Sequence, residues 1–319
     1  MMRIHPFAGN AFNRLAERRR DEVWLQQQLS RNDIRILPVW RGKVLVESMD
    51  GMPRLADVNR ASLTTLDVTH EHLILLGEYR EQLFFALALA NETEPALSSI
   101  AQFHDLRAVS GLLPNDELSL LGYARALVHW RNTHLFRGKC GARNVPIHAG
   151  HVMACSNASC GQQSFPRLDP AVIVLITDGE RVLLGRQSRF PPGRYSTIAG
   201  FMEWAESIEE AVIREALEET GVTVDQVEYH SSQPWPFPSS LMLGFIAHAT
   251  TTDITLHDGE LEDARWFTMQ DIATGALSLP PPQSISFALI EHWYDSKSSC
   301  RLRDEPAARI DTPAQLFRS

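Results

Sequence analysis

From Ile36 to Ala88 the apolar positions fall in short runs bounded by Gly, Pro and charged residues, the pattern of strands and tight turns. It predicts strands over Ile36–Val39, Lys43–Glu47, His72–Tyr79 and Gln82–Ala88, with Tyr79-Arg80-Glu81 at a hairpin tip. A polar, Arg-rich stretch precedes them and carries one predicted helix, Asp21–Ser30. From Leu97 to Phe136 the rhythm turns helical: Leu106, Val109, Leu112 and Leu113, a break at Pro114-Asn115-Asp116, then a longer helix through Leu118, Leu121, Tyr123, Ala124, Leu127, Val128 and Trp130. Strands return after Asp169: Ala171–Thr177, a two-residue turn at Asp178-Gly179, Arg181–Arg186, Tyr195–Ala199, Val227–His230 and Leu241–Ala249, closed by a helix from Ser284 to Tyr294. The pattern predicts an α/β protein in four parts. These are an N-terminal α/β domain with connecting helices (1–130), a cysteine-bearing segment (131–168), a second α/β domain (169–300) and a polar tail (301–319).

A chain of 319 residues is long enough for two cores, and 44% hydrophobic with 22% charged residues is the composition of a soluble globular protein. The formal net charge of −9 argues against nucleic-acid capture over a broad surface, though not against a local basic site. The start, Met1-Met2-Arg3-Ile4-His5, lacks the apolar core of a signal peptide, and the most apolar run, Leu83 to Ala90, is too short to span a bilayer. A cytoplasmic enzyme with no membrane partner is the expectation. The N-terminal domain holds no interpretable cluster of titratable residues and is expected to be structural or dimerising.

The chemistry gathers between Gly200 and Val222. Ser207 and Glu210 form a capping box, and Gly221 stands where a helix stops in the left-handed conformation. On a helical wheel Ile208, Ala211, Val212 and Ala216 share the face that should pack on the core; Glu215 and Glu219 fall within it, and Glu218 at its edge. A like-charge i,i+4 pair near a helix C-terminus opposes both its neighbour and the macrodipole, so a merely solvated face would not be built this way. Carboxylates converging on one inward side suit a hard divalent cation, Mg²⁺ or Mn²⁺.

Two further stretches stand out. Cys140, Cys155 and Cys160 have the spacing of a zinc ribbon that lacks one ligand, because the place three residues before Cys140 is Arg137. His134, His148 or His151 could complete the set, or the ribbon could stand without metal. The second stretch runs Ser232-Gln233-Pro234-Trp235-Pro236-Phe237-Pro238-Ser239-Ser240. Its alternating prolines predict an extended, stiff path that presents Trp235 and Phe237 as aromatic faces for planar heterocycles, with Gln233, Ser239 and Ser240 free for polar contacts.

The stretch from Gly200 resembles the Nudix box: Gly200, Glu206, Arg214, Glu215, Glu218, Glu219, Gly221 and Val222 match its spacing, while Ala216 departs, being small where the box has a bulky apolar residue. The proline-rich stretch resembles the signature of the NADH pyrophosphatase branch. The resemblance extends to the helix Leu118–Leu135, the cysteine segment and Leu279-Pro280-Pro281-Pro282-Gln283-Ser284-Ile285, most of residues 105 to 295. It implies a Nudix α/β/α sandwich behind an N-terminal α/β domain and a zinc-ribbon-like insert. It also implies metal ligands at the Ala199 carbonyl, Glu215, Glu219 and Glu260, and adenine-stacking aromatics at Phe165 and Phe201. The proline-rich stretch (Gln233, Pro234, Trp235, Pro236, Phe237, Pro238, Ser239, Ser240) and Ser286 would bind substrate. Glu218 is the expected general base, Arg214 orients the glutamates, and Glu206 braces the loop or holds an outer ion. The implied reaction is metal-dependent hydrolysis of the NAD(H) pyrophosphate to NMN(H) and AMP, with NAD-capped RNA as a further substrate and a homodimer as the assembly. A Nudix hydrolase of ADP-ribose or another nucleoside diphosphate derivative is the rival enzyme, and a non-catalytic nucleotide sensor the rival of another class. Arg137, where the family usually has Cys, bears on the zinc and not on the hydrolase.

Overall fold

The computed structural model describes residues 5–305 apart from 10, 50, 57, 64–68, 96, 98–100 and 258; the side chains of 61 and 70 are also set aside. Most of the polar tail (306–319) and Asp258, two residues before Glu260, therefore lie outside the described residues. The chain divides into two compact units. One holds Asp169–Pro234 and the chain from Ser240 onward, with His5; the other holds Pro6–Leu168 and the five residues Trp235–Ser239.

In the N-terminal unit the strands lie in the order Met52–Leu55, Lys43–Met49, Arg35–Trp40, Gln82–Leu89, Leu73–Tyr79, and Ala101–His104 also pairs with Lys43–Met49. Arg35–Trp40 and Gln82–Leu89 run parallel, and the other pairs are antiparallel. Both sheet faces are covered. Leu37, Val39, Val44 and Val46 pack under the helix Asn115–Thr133 through Leu118, Leu121, Leu127 and Val128, while Ile36, Leu45, Leu75 and Phe85 face Leu29, Ile34 and Ala149. Strands buried on both sides read as continuous apolar runs, which is how they stood out in the sequence. At the hairpin tip Arg80 and Glu81 both take positive φ (49° and 62°) between the paired Tyr79 and Gln82. The predicted helix before the sheet spans Glu22–Leu29, with Asp21 accepting from Trp24 N–H as its cap.

Three corrections belong to this unit. Ala101–His104 is a strand, where a helical rhythm was expected, and Met52–Leu55 adds an unforeseen one. The helix expected from Leu106 is short, ending at Val109. A small three-stranded sheet, Asn144–Ile147, Val152–Cys155 and Gln163–Ser164, forms the cysteine segment. It docks on the strand Leu73–Tyr79: Leu75 N–H donates to the Ala149 carbonyl at 3.1 Å, and His151 Nε2 lies 2.7 Å from the Leu75 carbonyl.

The other unit is a sandwich. Its sheet runs Val224–Trp235, Ser240–Ala249, Asp169–Thr177, Arg181–Arg186, Asp263–Thr268, with Ile198–Phe201 antiparallel to the central Asp169–Thr177. One face (Val172, Val174, Ile176, Leu183) packs on Ala211, Val212 and Ala216 of the helix Ile208–Thr220. The other (Ile173, Leu175, Val182, Leu184) packs on Phe287, Leu289, Ile290 and Trp293 of the closing helix Ile285–Lys297. Helix, sheet and helix make the three layers expected of the Nudix fold. The turn at Asp178 is longer than predicted, with three residues (Asp178, Gly179, Glu180) between the strands, held by Asp178 Oδ1 accepting from the Glu180 and Arg181 amides.

Candidate active site

The helix Ile208–Thr220 begins on a complete capping box: the Ser207 hydroxyl accepts from Glu210 N–H at 3.2 Å, and the Glu210 carboxylate accepts from Ser207 N–H at 2.7 Å. It ends at Gly221 with φ 71°. Ala211, Val212 and Ala216 are fully buried, which rolls Glu215 and Glu219 inward, to 8% and 2% exposure, and leaves Glu218 at the rim. Glu215 lies directly on the backbone of Gly200, where a Cβ would meet its carboxylate oxygens at 1.9 and 2.2 Å. Glycine is required there for close approach and not for an unusual φ.

Arg214 is the hub. Its guanidinium donates to Glu206 (2.9 and 2.7 Å), to Glu215 Oε1 (2.8 Å), to Glu218 Oε2 (2.9 Å) and to the Phe201 carbonyl (2.9 Å). Glu206 also accepts from the Glu203 amide at 2.5 Å, so both ends of the loop 201–206 are tied to one side chain. The Arg214 hydrogen bonds, then the Glu203 amide, hold the Glu206 carboxyl down to about 2. Glu206 in turn does most to raise the proton affinity of Arg214.

Burial pushes the Glu215 carboxyl up; Arg214 opposes this, and the charges of Glu218 and Glu260 reinforce it. Glu260 is therefore near enough to repel Glu215, although it comes from a loop on a different part of the unit. That loop is pinned by its neighbour: Leu261 is buried against Ile198 and over Gly185, where a Cβ would meet the leucine at 2.8 Å. Gly185 and Leu261 were missed in the sequence, where the one available signal was a glycine inside the apolar run Arg181–Arg186.

The donor set fits a hard divalent cation: the buried Glu215 and Glu219, and a Glu260 charge that adds to the cost of ionising Glu215 and that a cation would offset. Ala199 lies one residue before Gly200 on the strand Ile198–Phe201, opposite Ile173. Among the described residues the tightest gathering of metal-type ligands is a different one, the three cysteines.

The substrate-binding candidates separate. Phe201 and Phe165 are open, at 60% and 61% exposure, in the catalytic and N-terminal units respectively. Gln233 is a correction to the expectation of a free polar contact. It is fully buried, donates to the Gln283 carbonyl at 2.8 Å and accepts from Ile285 N–H at 2.7 Å, so it fixes the start of the closing helix. Ser286 is buried as well, its hydroxyl bonded to Thr197 N–H, Thr197 Oγ1 and Ser196 Oγ at 3.1, 2.8 and 2.9 Å. The extended proline-rich wall is corrected too. The strand continues to Trp235, and Pro236, Phe237, Pro238 and Ser239 form a turn, with a cis bond before Pro238, leading to Ser240, which pairs with Asp169. Pro234 lies on the strand itself. Trp235 and Phe237 pack edge-on against each other (5.1 Å) and against Phe7 (5.9 and 5.5 Å). The guanidiniums of Arg107 and Arg125 lie over the Phe237 ring at 4.4 and 4.8 Å, and Arg125 also donates to the Pro236 carbonyl.

Cys140, Cys155 and Cys160 bring their sulfurs within 4.8 Å of one another, a group that could hold a metal ion, zinc among them. Among the described residues no histidine joins it: His151 Nε2 lies against the Leu75 carbonyl, and His134 Nδ1 sits 2.8 Å from the Trp130 carbonyl. Arg137 bonds Gln162 and Ser164 Oγ (3.3 Å) instead.

A Nudix sandwich carrying this constellation of glutamates on an arginine hub defines a class, the Nudix hydrolases, which use divalent metals. Comparison agrees: residues 167–286 match the NUDIX domain, and residues 34–130 match the NADH pyrophosphatase-like rudimentary NUDIX domain. Three relatives share long stretches of sequence. Nudix hydrolase 19, chloroplastic, of Arabidopsis thaliana is 38% identical over 275 residues, 75% of this chain and 61% of that one. NAD-capped RNA hydrolase NUDT12 of Macaca fascicularis is 42% identical over 196 residues, 57% of this chain and 42% of that one. NAD-capped RNA hydrolase NudC of Pseudomonas putida is 38% identical over 258 residues, 78% of this chain and 88% of that one. The chain belongs to the Nudix hydrolases, in the branch where the Nudix domain follows an NADH pyrophosphatase-like domain. It spans less than two thirds of the first two relatives. Among the described residues no helix is long and apolar enough to cross a membrane.

Proposed function

We propose that the chain hydrolyses the pyrophosphate of NAD(H), free or as the cap of an RNA 5′ end, to release NMN(H) and AMP or 5′-monophosphate RNA. The carrying observation is the Glu215 carboxylate seated on Gly200 and gripped by Arg214, with Glu219 buried beside it and Glu260 held close by Leu261. Glu215, Glu219, Glu260 and the Ala199 carbonyl would hold Mg²⁺ or Mn²⁺. When bound, these ions neutralise charge on the bridging phosphates and acidify the attacking water. Arg214 keeps the glutamates in register. Glu206 keeps Arg214 in place and stays ionised in doing so. Glu218, at the rim, would take the proton of the water, which must attack in line with the departing phosphate oxygen. Phe165 and Phe201 supply open aromatic faces for a base, and a homodimer and a cytoplasmic location are part of this reading.

Product analysis tests it. The protein is incubated with NADH, NAD⁺, ADP-ribose and NAD-capped RNA, in Mg²⁺ and then in Mn²⁺. AMP together with NMN(H), and monophosphate RNA, are expected. Turnover of ADP-ribose alone would assign the rival substrate, and no turnover of any would leave a nucleotide-binding protein.

A further inference from the structure

The proposed reaction makes no use of the three-cysteine group, which is nonetheless tightly built. Cys140 is exposed, and its sulfur stands 3.5 Å from that of Cys155, buried behind it on the strand Val152–Cys155. A closed zinc site needs four ligands in a tetrahedron. Here the residue in the fourth ligand's place is Arg137, a cation whose guanidinium donates to Gln162 and to Ser164 Oγ at 3.3 Å. The loops around the sulfurs are closed by their own backbone: Gly141 N–H donates to the Arg137 carbonyl and Arg137 N–H to Ala142, each at 2.8 Å, and Cys160 and Gly161 N–H both donate to Asn157. The backbone of the segment closes on itself around the sulfurs, with two thiols in contact and one of them open to solvent.

We infer that Cys140 and Cys155 are an oxidative modification site, a dithiol that a peroxide closes to a reversible disulfide where a tetrahedral ribbon would carry metal. The exposed Cys140 sulfur attacks one peroxide oxygen. The O–O bond breaks, the oxygen left behind departs as water with the thiol proton, and Cys140 becomes a sulfenic acid. The Cys155 sulfur then attacks the Cys140 sulfur. The S–O bond breaks, a second water leaves with the Cys155 proton, and the S–S bond forms. Two thiols lose two electrons and the peroxide gains them. Cys160 takes no part in the crosslink, since Cys140 and Cys155 already stand sulfur to sulfur at 3.5 Å. A later thiol reductant reverses the reaction.

The test uses the full chain, purified under reducing conditions and analysed for zinc before hydrogen peroxide is added. Thiols are then trapped with N-ethylmaleimide in denaturant and the peptides mapped by mass. The expected result is well under one zinc per chain, a fall from four alkylated cysteines to two, and a crosslinked peptide pair carrying Cys140 and Cys155 that dithiothreitol releases. Cys140→Ser and Cys155→Ser should each abolish the crosslink, whereas Cys160→Ser and Cys300→Ser should keep it. Should the serine variants not fold, Arg137→Cys answers the same question: a fourth thiol completes the tetrahedron, so zinc should rise and closure slow by at least ~10-fold. Stoichiometric zinc in the unaltered protein with all thiols still alkylatable after peroxide would overturn the proposal. So would a crosslink through Cys160, or closure in Arg137→Cys at an unchanged rate.

Discussion

A methyl group on Gly200 would stand 1.9 Å from Glu215 Oε1, closer than any real contact. The carboxylate ends a flexible chain and can swing away, so Gly200→Ala should cost the fold ~1 kcal/mol or less while evicting Glu215 from the site. Circular dichroism melts and turnover measured together check it; wild-type activity in a folded variant would mean that Glu215 is not needed where it lies. Glu219 is tested by charge alone. Glu219→Gln keeps size and shape and should reduce turnover by at least ~10²-fold without unfolding the protein, because charge stabilisation dominates such steps. Near-normal turnover at saturating Mg²⁺ would remove Glu219 from the metal set. At this scale the sequence was informative about the helix, where 3.6-residue periodicity alone puts Glu215 and Glu219 on the apolar face. It was uninformative about Gln233 and Ser286, whose partners lie far along the chain.

Between elements, the cysteine-bearing sheet is anchored by His151 on the strand Leu73–Tyr79. Burial, reinforced by Arg19, Arg14 and Arg131, presses the His151 imidazole down to about 4, while the Leu75 carbonyl opposes the shift. A base depressed on folding contributes stability that is full above its unfolded value of ~6.5 and is lost as pH falls from there towards its folded value. Denaturant unfolding of the N-terminal unit should therefore weaken by about 1–3 kcal/mol between pH 7 and pH 4. His151→Gln should flatten that part of the profile, and an unchanged slope would place the loss elsewhere. The elements themselves were legible wherever they were long. Ala101–His104 was not, because it has four residues and buries only Phe103. Met52–Leu55 was hidden by Pro53, which is tolerated there because the strand is the last in its sheet path.

At the scale of the whole molecule, Trp235–Ser239 belong to the N-terminal unit although their neighbours on both sides belong to the catalytic one. Trp235, Phe237 and Phe7 form an aromatic trio on the core of that unit. Trp235→Ala should lower its melting temperature and reduce kcat/KM for NADH and ADP-ribose by similar factors. A loss confined to NADH would restore Trp235 as a wall for nicotinamide. Leu261, seated over Gly185, carries a consequence for calorimetry. Because the leucine next to Glu260 is buried by contacts with the protein itself, loading Mg²⁺ should bury almost no new apolar surface, and the heat capacity change on titration should be near zero. Leu261→Ser should release the loop, so that the same titration acquires the unfavourable entropy of ordering it.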